Sequence, residues 1–183
     1  MKKIAYSGVA GCFAHMAARK LFADEFHMPF AGFEQAYEAV LSGQCDLAVL
    51  PVKNSYAGEV TDVVRLLGEG RVNINGTYDF PVVQNLLGIR GSRLSDIKTV
   101  ISHPKALEQC DEYIRQHGYG VIRSTNTAVA AREVIERCSM SLAAIGSLET
   151  AAEYGLKVLE EKINARDDNV TTFAVISMPE AAV

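Results

Sequence analysis

The sequence predicts an α/β protein of two lobes that are joined by two crossing segments, with a cleft between the lobes. Short apolar runs alternate with helical patterns along most of the 183 residues, as in parallel-sheet proteins. Residues 72–89 form an extended run interrupted by Gly76 and Pro81, which indicates a strand leaving the first lobe. A second extended run, 171–176, returns the chain. We place lobe one at about 1–78 plus 170–183 and lobe two at about 79–169.

Each lobe repeats a strand and helix alternation. Residues 46–52 are almost wholly apolar, as is typical of a buried parallel strand. In lobe one we predict strands at 3–6, 30–33 and 46–52 and helices at 14–26, 35–41 and 59–67. In lobe two we predict strands at 99–102, 120–124 and 142–145 and helices at 105–116, 128–138 and 148–154. Such alternation predicts a parallel sheet whose strand ends and helix N-termini face the ligand.

Composition excludes several classes of protein. The chain is 49% hydrophobic and 22% charged, with a net charge of -4, so it is globular and an unlikely partner for nucleic acid. No export signal and no apolar run of about 20 residues is evident, so we expect a cytoplasmic protein without a membrane partner. The four cysteines are far apart and form no metal or redox motif, and we expect them to be small buried hydrophobes: Cys12, Cys45, Cys110 and Cys138.

Polar residues follow several predicted strands, and each group has two interpretations. The loop from Gly8 to Gly11 could present backbone amides to an anion at a helix N-terminus, or be a tight turn. Asn54 and Ser55 could contact a ligand, or form a turn in which Ser55 caps a short helix.

The second lobe repeats this ambiguity. His103 could be a general acid or base, or a packed residue beside a helix that Ser102 caps. The stretch 124–127 has the same position and the same two interpretations. In the returning strand, alternation puts Thr171 and Phe173 on one face and Thr172 on the other. No catalytic triad, carboxylate pair or metal cluster emerges.

Taken in order, these segments resemble the prephenate dehydratase family. Any single match is weak, but the matches keep the order and spacing of the family along nearly the whole chain. They comprise Ala5–Gly8 with Gly11, Gly43–Ser55 with Gly58, Ser102–Pro104 with Ala106, Gln109 and Cys110, Ser124–Ala131, Ala143–Ser147, Tyr154–Leu156, and Asn169-x-Thr171-x-Phe173.

The resemblance implies a fold like that of type II periplasmic binding proteins, with prephenate in the cleft. Prephenate loses its ring hydroxyl and a carboxylate as CO2, which gives phenylpyruvate, and no cofactor is needed. Thr171 matches the catalytic threonine, whose hydroxyl assists departure of the leaving group. The residues carried over for substrate binding and for the supporting network are Gly8, Gly11, Asn54, Ser55, Ser102, His103, Gln109, Thr127, Thr172 and Phe173.

The sequence departs from the family pattern at the same sites. Thr172 stands where the family usually has Arg, and Lys53 stands where it usually has Glu. Ala14 replaces a usual Ser or Thr, and Gln84 a common His. If the Arg and the Glu of the family form an ion pair with each other, losing both together leaves no unpaired charge. Alternatively, Lys53 could offer a positive charge to a carboxylate of the substrate.

In the family an ACT regulatory domain usually follows this region, and the 183 residues leave no room for one. We expect either that feedback inhibition is absent or lies on another chain, or that the sequence is a piece of a longer protein. The family tendency suggests a homodimer. Two rival functions stay open. A prephenate decarboxylase would release CO2 but leave a non-aromatic product. A non-catalytic binding module with the same two-lobed fold would bind a small molecule and form no product.

Overall fold

The computed structural model describes residues 1–179, which form two compact units. The first unit comprises Met1–Pro81 and the chain from Asp168 onward, and the second is Val82–Asp167. The strands are β1 (Lys3–Ser7), β2 (Phe26–Phe30), β3 (Leu47–Asn54), β4 (Gly58–Glu59), β5 (Asn73–Pro81), β6 (Asn85–Gly88), β7 (Thr99–Ser102), β8 (Gly120–Arg123), β9 (Leu142–Gly146), β10 (Lys157–Glu160) and β11 (Val170–Ser177). The helices are α1 (Phe13–Leu21), α2 (Phe33–Leu41), α3 (Thr61–Gly68), α4 (Pro104–Gln109), α5 (Asp111–His117), α6 (Thr127–Arg137) and α7 (Leu148–Tyr154).

The sheet of the first unit has the order β2-β1-β3-β11-β5, with β4 paired to β3. β1 is parallel to β2 and β3, whereas β11 is antiparallel to β3 and β5. Helices cover both faces. α2 and α3 pack against one apolar cluster that includes Leu50 and Val52, and α1 packs against another that includes Val49 and Phe173. Burial on both faces explains why β3 is so apolar.

A β-bulge in β3 decides which face of this sheet carries Asn54. Phe173 is opposite Pro51, whereas Thr171 is opposite Asn54, so β3 has one extra residue here, Val52. Strict alternation would put Asn54 on the side of Val52, toward α2 and α3. Opposite residues of an antiparallel pair share a face, so the bulge places Asn54 on the α1 side with Thr171.

The sheet of the second unit has the order β10-β6-β9-β7-β8. β7 is parallel to β8 and β9, so the carboxyl ends of these three strands lie at one edge. β6 is antiparallel to both β9 and β10. Two apolar clusters cover the faces, one with α4 and α5 and the other with α6 and α7. The polar residues that follow β7, β8 and β9 are therefore neighbours.

The structure corrects several predicted elements. Both sheets are mixed, because β11 and β6 run against their neighbours. The first helix ends at Leu21, and the second strand is Phe26–Phe30, since it pairs with β1 residue by residue. The predicted strand 72–89 is two strands in different sheets, β10 was missed, and the predicted helix 105–116 breaks at Cys110.

The cysteine prediction holds for two of the four residues. Cys45 and Cys110 are buried, and burial raises the pKa of the Cys110 thiol to about 12. Cys12 is half-buried, and its thiol donates to the Ser7 carbonyl at 3.4 Å. Cys138 is exposed because it ends α6 in a left-handed conformation, with φ 48°.

Candidate active site

The Thr171 side chain belongs to a hydrogen-bond network in the first unit. Thr171 lies opposite Asn54, and Asn54 Nδ2 donates to Thr171 Oγ1 at 3.0 Å. The same nitrogen lies 2.8 Å from Asn169 Oδ1 and 3.2 Å from the Val170 carbonyl. Since the amide nitrogen is the donor, the threonine oxygen accepts and keeps its own proton. The arrangement suits a hydroxyl that donates to an incoming oxygen.

Asn54 is held by the turn that follows β3. Its Oδ1 accepts hydrogen bonds from the Tyr56 and Ala57 backbone amides, both at 3.0 Å. This is the local turn that an Asn favours. The predicted turn is confirmed, but the predicted cap is wrong: the turn leads into β4 at Gly58, and Ser55 starts no helix.

Ser55 and Tyr56 join the same turn to the start of β11. Ser55 N donates to the Val170 carbonyl at 2.9 Å, and Ser55 Oγ accepts from Val170 N at 3.0 Å. The Ser55 hydroxyl also lies 3.3 Å from the Asp168 carbonyl. The Tyr56 hydroxyl donates to the Asp168 carboxylate. The two bonds between Ser55 and Val170 hold the turn in register with the strand that carries Thr171.

Lys53 and Thr172 lie on the other face of the sheet from Thr171. They are cross-strand neighbours, and Thr172 Oγ1 donates to Asp79 Oδ1 at 2.6 Å. Lys53 is exposed and also lies opposite Glu59. The two positions that the family fills with Glu and Arg are thus neighbours in the sheet. A Glu and an Arg at these positions would be close enough to pair, as the simultaneous loss of both requires. The structure brings neither side chain to the Thr171 hydroxyl.

Three further predicted residues of the first unit are engaged inside the fold. The Phe173 side chain is 2% exposed and packs edge-on against Phe80, with ring centroids 5.7 Å apart. In the glycine loop, Gly8 N donates to the Phe30 carbonyl at 2.8 Å, and Gly11 N donates to His15 Nδ1 at 2.9 Å. Both amides that we expected to meet a ligand therefore have protein acceptors.

Gly8 itself is required by geometry. Its φ is +107°, and a Cβ there would lie 2.9 Å from Cys12 Sγ. A side chain would therefore strain the backbone and clash with a half-buried thiol. The loop is better described as a tight βα turn than as an open anion cradle.

In the second unit, Ser102 and His103 end β7 and start α4. The Ser102 hydroxyl is buried and donates to the Ile145 carbonyl at 2.7 Å. The predicted cap is wrong in detail, because His103 caps α4: its Nδ1 accepts from Lys105 N at 3.1 Å. Burial and the nearby Lys105 charge lower the pKa of His103. The neutral ring then carries its proton on Nε2 and can donate there.

Thr127 and Gln109 lie at two further helix ends. Thr127 is the first residue of α6, is 8% exposed, and follows Asn126, whose Oδ1 accepts from Val129 N at 2.8 Å. Ser124, just after β8, is buried, and its hydroxyl has no partner among residues 1–179. The Gln109 Oε1 accepts from Gln84 Nε2 at 3.1 Å.

The Gln84 side chain is almost fully buried beside that amide. It is 2% exposed, and its Oε1 has no donor in the described part of the chain. Its backbone carbonyl accepts from Ile163 N at 2.9 Å. A buried acceptor without a donor is unfavourable, so this amide is available to a ligand or to water.

One functional residue was missed by sequence reasoning. Asn169 belongs to the matched Asn-x-Thr-x-Phe motif, yet only its contact with Asn54 shows that it joins the Thr171 network. The motif was the signal that could have identified it. Within residues 1–179, no group of His, Cys, Asp or Glu has the arrangement of a metal site, and no helix is long and apolar enough to cross a membrane.

The chain is similar to known proteins over nearly its whole length. The family model described as prephenate dehydratase matches residues 4–181. The Arabidopsis thaliana protein named arogenate dehydratase/prephenate dehydratase 1, chloroplastic, is 36% identical over 175 residues, which are 96% of this chain and 45% of that protein. The chain thus spans about half the length of the curated relatives it matches.

Solved structures match over the whole described chain. A prephenate dehydratase in complex with L-Phe from Arthrobacter aurescens is 30% identical, with a TM-score of 0.88, over 98% of this chain and 61% of that one. A structure described as GqqA, a novel type of quorum quenching acylase, is 32% identical, with a TM-score of 0.89, over 100% of this chain and 66% of that one.

A more distant likeness bears on the fold alone. A nutrient binding protein from Burkholderia cenocepacia, bound to methionine, is 10% identical, with a TM-score of 0.51, over 97% of this chain and 85% of that one. The binding-protein-like α/β fold that the resemblance implied is therefore confirmed. With the family model matching nearly the full sequence and the motif residues in one network, the chain belongs to the prephenate dehydratase family.

Proposed function

We propose that the protein is a prephenate dehydratase that converts prephenate into phenylpyruvate. The observation that carries the proposal is the bond from Asn54 Nδ2 to Thr171 Oγ1 at 3.0 Å. It occupies a lone pair of the threonine oxygen and leaves the hydroxyl proton free to donate. Among the described residues, no acceptor contacts that proton.

In this reaction the ring carboxylate of prephenate leaves as CO2. The electron pair of the broken C–C bond enters the ring, the C–O bond to the ring hydroxyl breaks, and the ring becomes aromatic. The departing oxygen gains negative charge and takes a proton to leave as water. A threonine hydroxyl is a weak acid, so its contribution is a pre-oriented hydrogen bond that strengthens as the charge develops.

The roles in substrate binding that the resemblance implies are proposed for each unit by itself. In the first unit, Ser55 lies beside the Asn54 turn. In the second unit, His103 offers Nε2–H, and Gln109 and Thr127 lie at helix ends. Lys53 and Thr172 lie on the other face of the sheet from Thr171, so we propose that they contribute to binding from that face without touching the Thr171 hydroxyl.

Arogenate is the alternative substrate that the names of the relatives suggest. The Arabidopsis relative is named for both arogenate and prephenate, and the two substrates undergo the same loss of CO2 and water. The proposal commits to prephenate. A higher kcat/KM for arogenate, measured with the same enzyme, would reverse that preference while leaving the reaction class in place.

We also propose a cytoplasmic homodimer. All four cysteines are free, and Cys138 is exposed, which fits a reducing compartment. Self-association follows from the family resemblance. Light scattering coupled to size exclusion tests it, and a monomer at micromolar concentration would remove that part of the proposal.

Acylase activity is the second candidate, because the 32% identical structure is described as a quorum quenching acylase. An acylase adds water across an amide bond and releases an acid and an amine. The same preparation is assayed with a chromogenic N-acyl amide. Amide hydrolysis without phenylpyruvate formation would replace the dehydratase proposal.

The deciding experiment follows CO2 and phenylpyruvate from prephenate with the parent, Thr171→Ala and Thr171→Ser. We expect both products from the parent, a kcat lower by about 10²–10⁴ in Thr171→Ala, and recovery in Thr171→Ser, which keeps the hydroxyl. CO2 without aromatic product would favour a decarboxylase. Tight binding of prephenate without products would favour a binding module.

A further inference from the structure

Asn169 is one hydrogen bond away from the hydroxyl to which the proposed function assigns the chemistry. It immediately precedes β11 and is 2% exposed. Its Oδ1 accepts from Asn54 Nδ2 at 2.8 Å and from the Ser55 hydroxyl at 3.5 Å. The same Asn54 nitrogen donates to Thr171 Oγ1 at 3.0 Å. Asn169 and Thr171 therefore share one donor.

The orientation of both amides follows from the backbone. Asn54 Oδ1 accepts from two backbone amides of its turn, so Asn54 must turn its nitrogen toward β11. A nitrogen can only donate, and Asn169 must therefore present its oxygen. The Asn169 nitrogen then points away into the protein, where none of residues 1–179 provides an acceptor.

The two ends of the Asn169 amide differ in their contacts. Buried amides in folded proteins are normally paired through both ends. Here Asn169 Oδ1 accepts hydrogen bonds and the nitrogen has no acceptor among residues 1–179. This arrangement is expected if the residue acts through its oxygen.

We propose that Asn169 is a positioning residue that acts through Asn54 on Thr171. Its Oδ1 holds Asn54 Nδ2 in place, and that nitrogen occupies a lone pair of Thr171 Oγ1. The threonine proton is then directed to the departing oxygen of the substrate. The inference rests on the proposed function and deepens it, since Asn169 itself touches no reacting atom.

Three variants separate positioning from its alternatives. Asn169→Ala removes the oxygen, Asn169→Asp keeps it, and Tyr56→Phe removes a neighbouring bond between the same two segments without touching the amides. With prephenate as substrate, we expect Asn169→Ala to lower kcat about 10- to 100-fold with KM changed less than about threefold. Asn169→Asp should recover most of the loss, and Tyr56→Phe should match the parent.

A double-mutant cycle tests whether Asn169 acts through Thr171. In the Thr171→Ala background, Asn169→Ala should change kcat by less than about twofold. Independent losses that multiply would overturn the proposal. The proposal would also be overturned if Asn169→Asp had the same low kcat as Asn169→Ala together with a raised KM. In that case the unpaired nitrogen of Asn169 would be the group that binds substrate. An equal loss in Tyr56→Phe would indicate a structural effect only and would also overturn it.

An activity-independent measurement separates failure of this inference from failure of the proposed function. In ¹⁵N-labelled protein, the Asn54 side-chain amide signals should shift and exchange faster with solvent in Asn169→Ala but not in Tyr56→Phe. Unchanged Asn54 signals would overturn the positioning role even if prephenate is converted. If the parent protein does not convert prephenate but Asn169→Ala still shifts the Asn54 amide signals, the proposed function is wrong. The hydrogen-bond link between Asn169 and Asn54 would then still be supported.

Discussion

The two units orient their polar groups in different ways. In the first unit, Asn54 and Thr171 are cross-strand neighbours, and the amide of Asn54 is used at both ends. In the second unit, the hydroxyl of Ser124 lies at the end of the parallel strand β8 and is buried without a partner in the described chain. Each unit has buried polar atoms of this kind, and in the first unit they include the Asn169 nitrogen. Cross-strand pairing fixes a hydroxyl before any ligand arrives, whereas strand ends leave groups that a ligand can satisfy. Under the proposed function, strand pairing orients the Thr171 hydroxyl, and groups at strand ends remain for ligand recognition.

The largest effect on stability is expected from Asn54→Ala. The change removes the acceptor for two turn amides and the donor to β11. We expect the free energy of unfolding to fall by about 2–3 kcal/mol, the upper range for loss of a buried hydrogen-bond network. Urea unfolding measures it. A loss no greater than that of an exposed control, Glu108→Ala, would contradict the idea that this network is pre-ordered.

A smaller loss is expected from Ser102→Ala in the second unit. The Ser102 hydroxyl is fully buried and donates to the Ile145 carbonyl at 2.7 Å. Its removal takes this hydrogen bond away from the Ile145 carbonyl and should lower the free energy of unfolding by about 1–2 kcal/mol. The same urea titration checks it. An unchanged midpoint would mean that Ser102 is not committed to the fold and is free to contact substrate.

Ser124→Ala is the matched comparison at the next strand end. Its buried hydroxyl has no partner within residues 1–179, so its removal should leave stability within about 0.5 kcal/mol of the parent or raise it. Under the proposed function, KM for prephenate should rise if a ligand satisfies this hydroxyl. A clear loss of stability without any change in KM would show instead that the hydroxyl serves the fold.

The smallest effect concerns pH and His103. Burial and Lys105 lower the pKa of His103 below its ordinary value, so the unfolded chain takes up the proton more readily. Its contribution to stability is full above about pH 6.5 and is lost as pH falls through the lowered folded pKa. His103→Asn keeps a capping oxygen and should lose less stability than the parent between pH 7.5 and 5. Equal pH dependence in parent and variant would contradict this assignment.

Local patterns determined a large part of this protein. The alternation of apolar runs and helices predicted the α/β class, and the strands Thr99–Ser102 and Leu142–Gly146 and the helix Leu148–Tyr154 lie where their periodicity indicated. The position of Thr171 in its motif identified the centre of the candidate site. These features depend on neighbouring residues alone, because side-chain periodicity and strand-end polarity are visible in a short window.

Tertiary structure decided the rest. Alternation along β3 would put Asn54 on the wrong face, and only the register of β3 against β11, with its bulge at Val52, brings Asn54 to Thr171. β10 forms because β6 offers an edge, and β11 runs antiparallel within a sheet that looked parallel. Strand register depends on pairing between residues far apart in the chain. No local pattern contains that information. The sequence alone therefore identified Asn54 and Thr171 as candidates, but it assigned no role to Asn169 and did not show how the three residues meet.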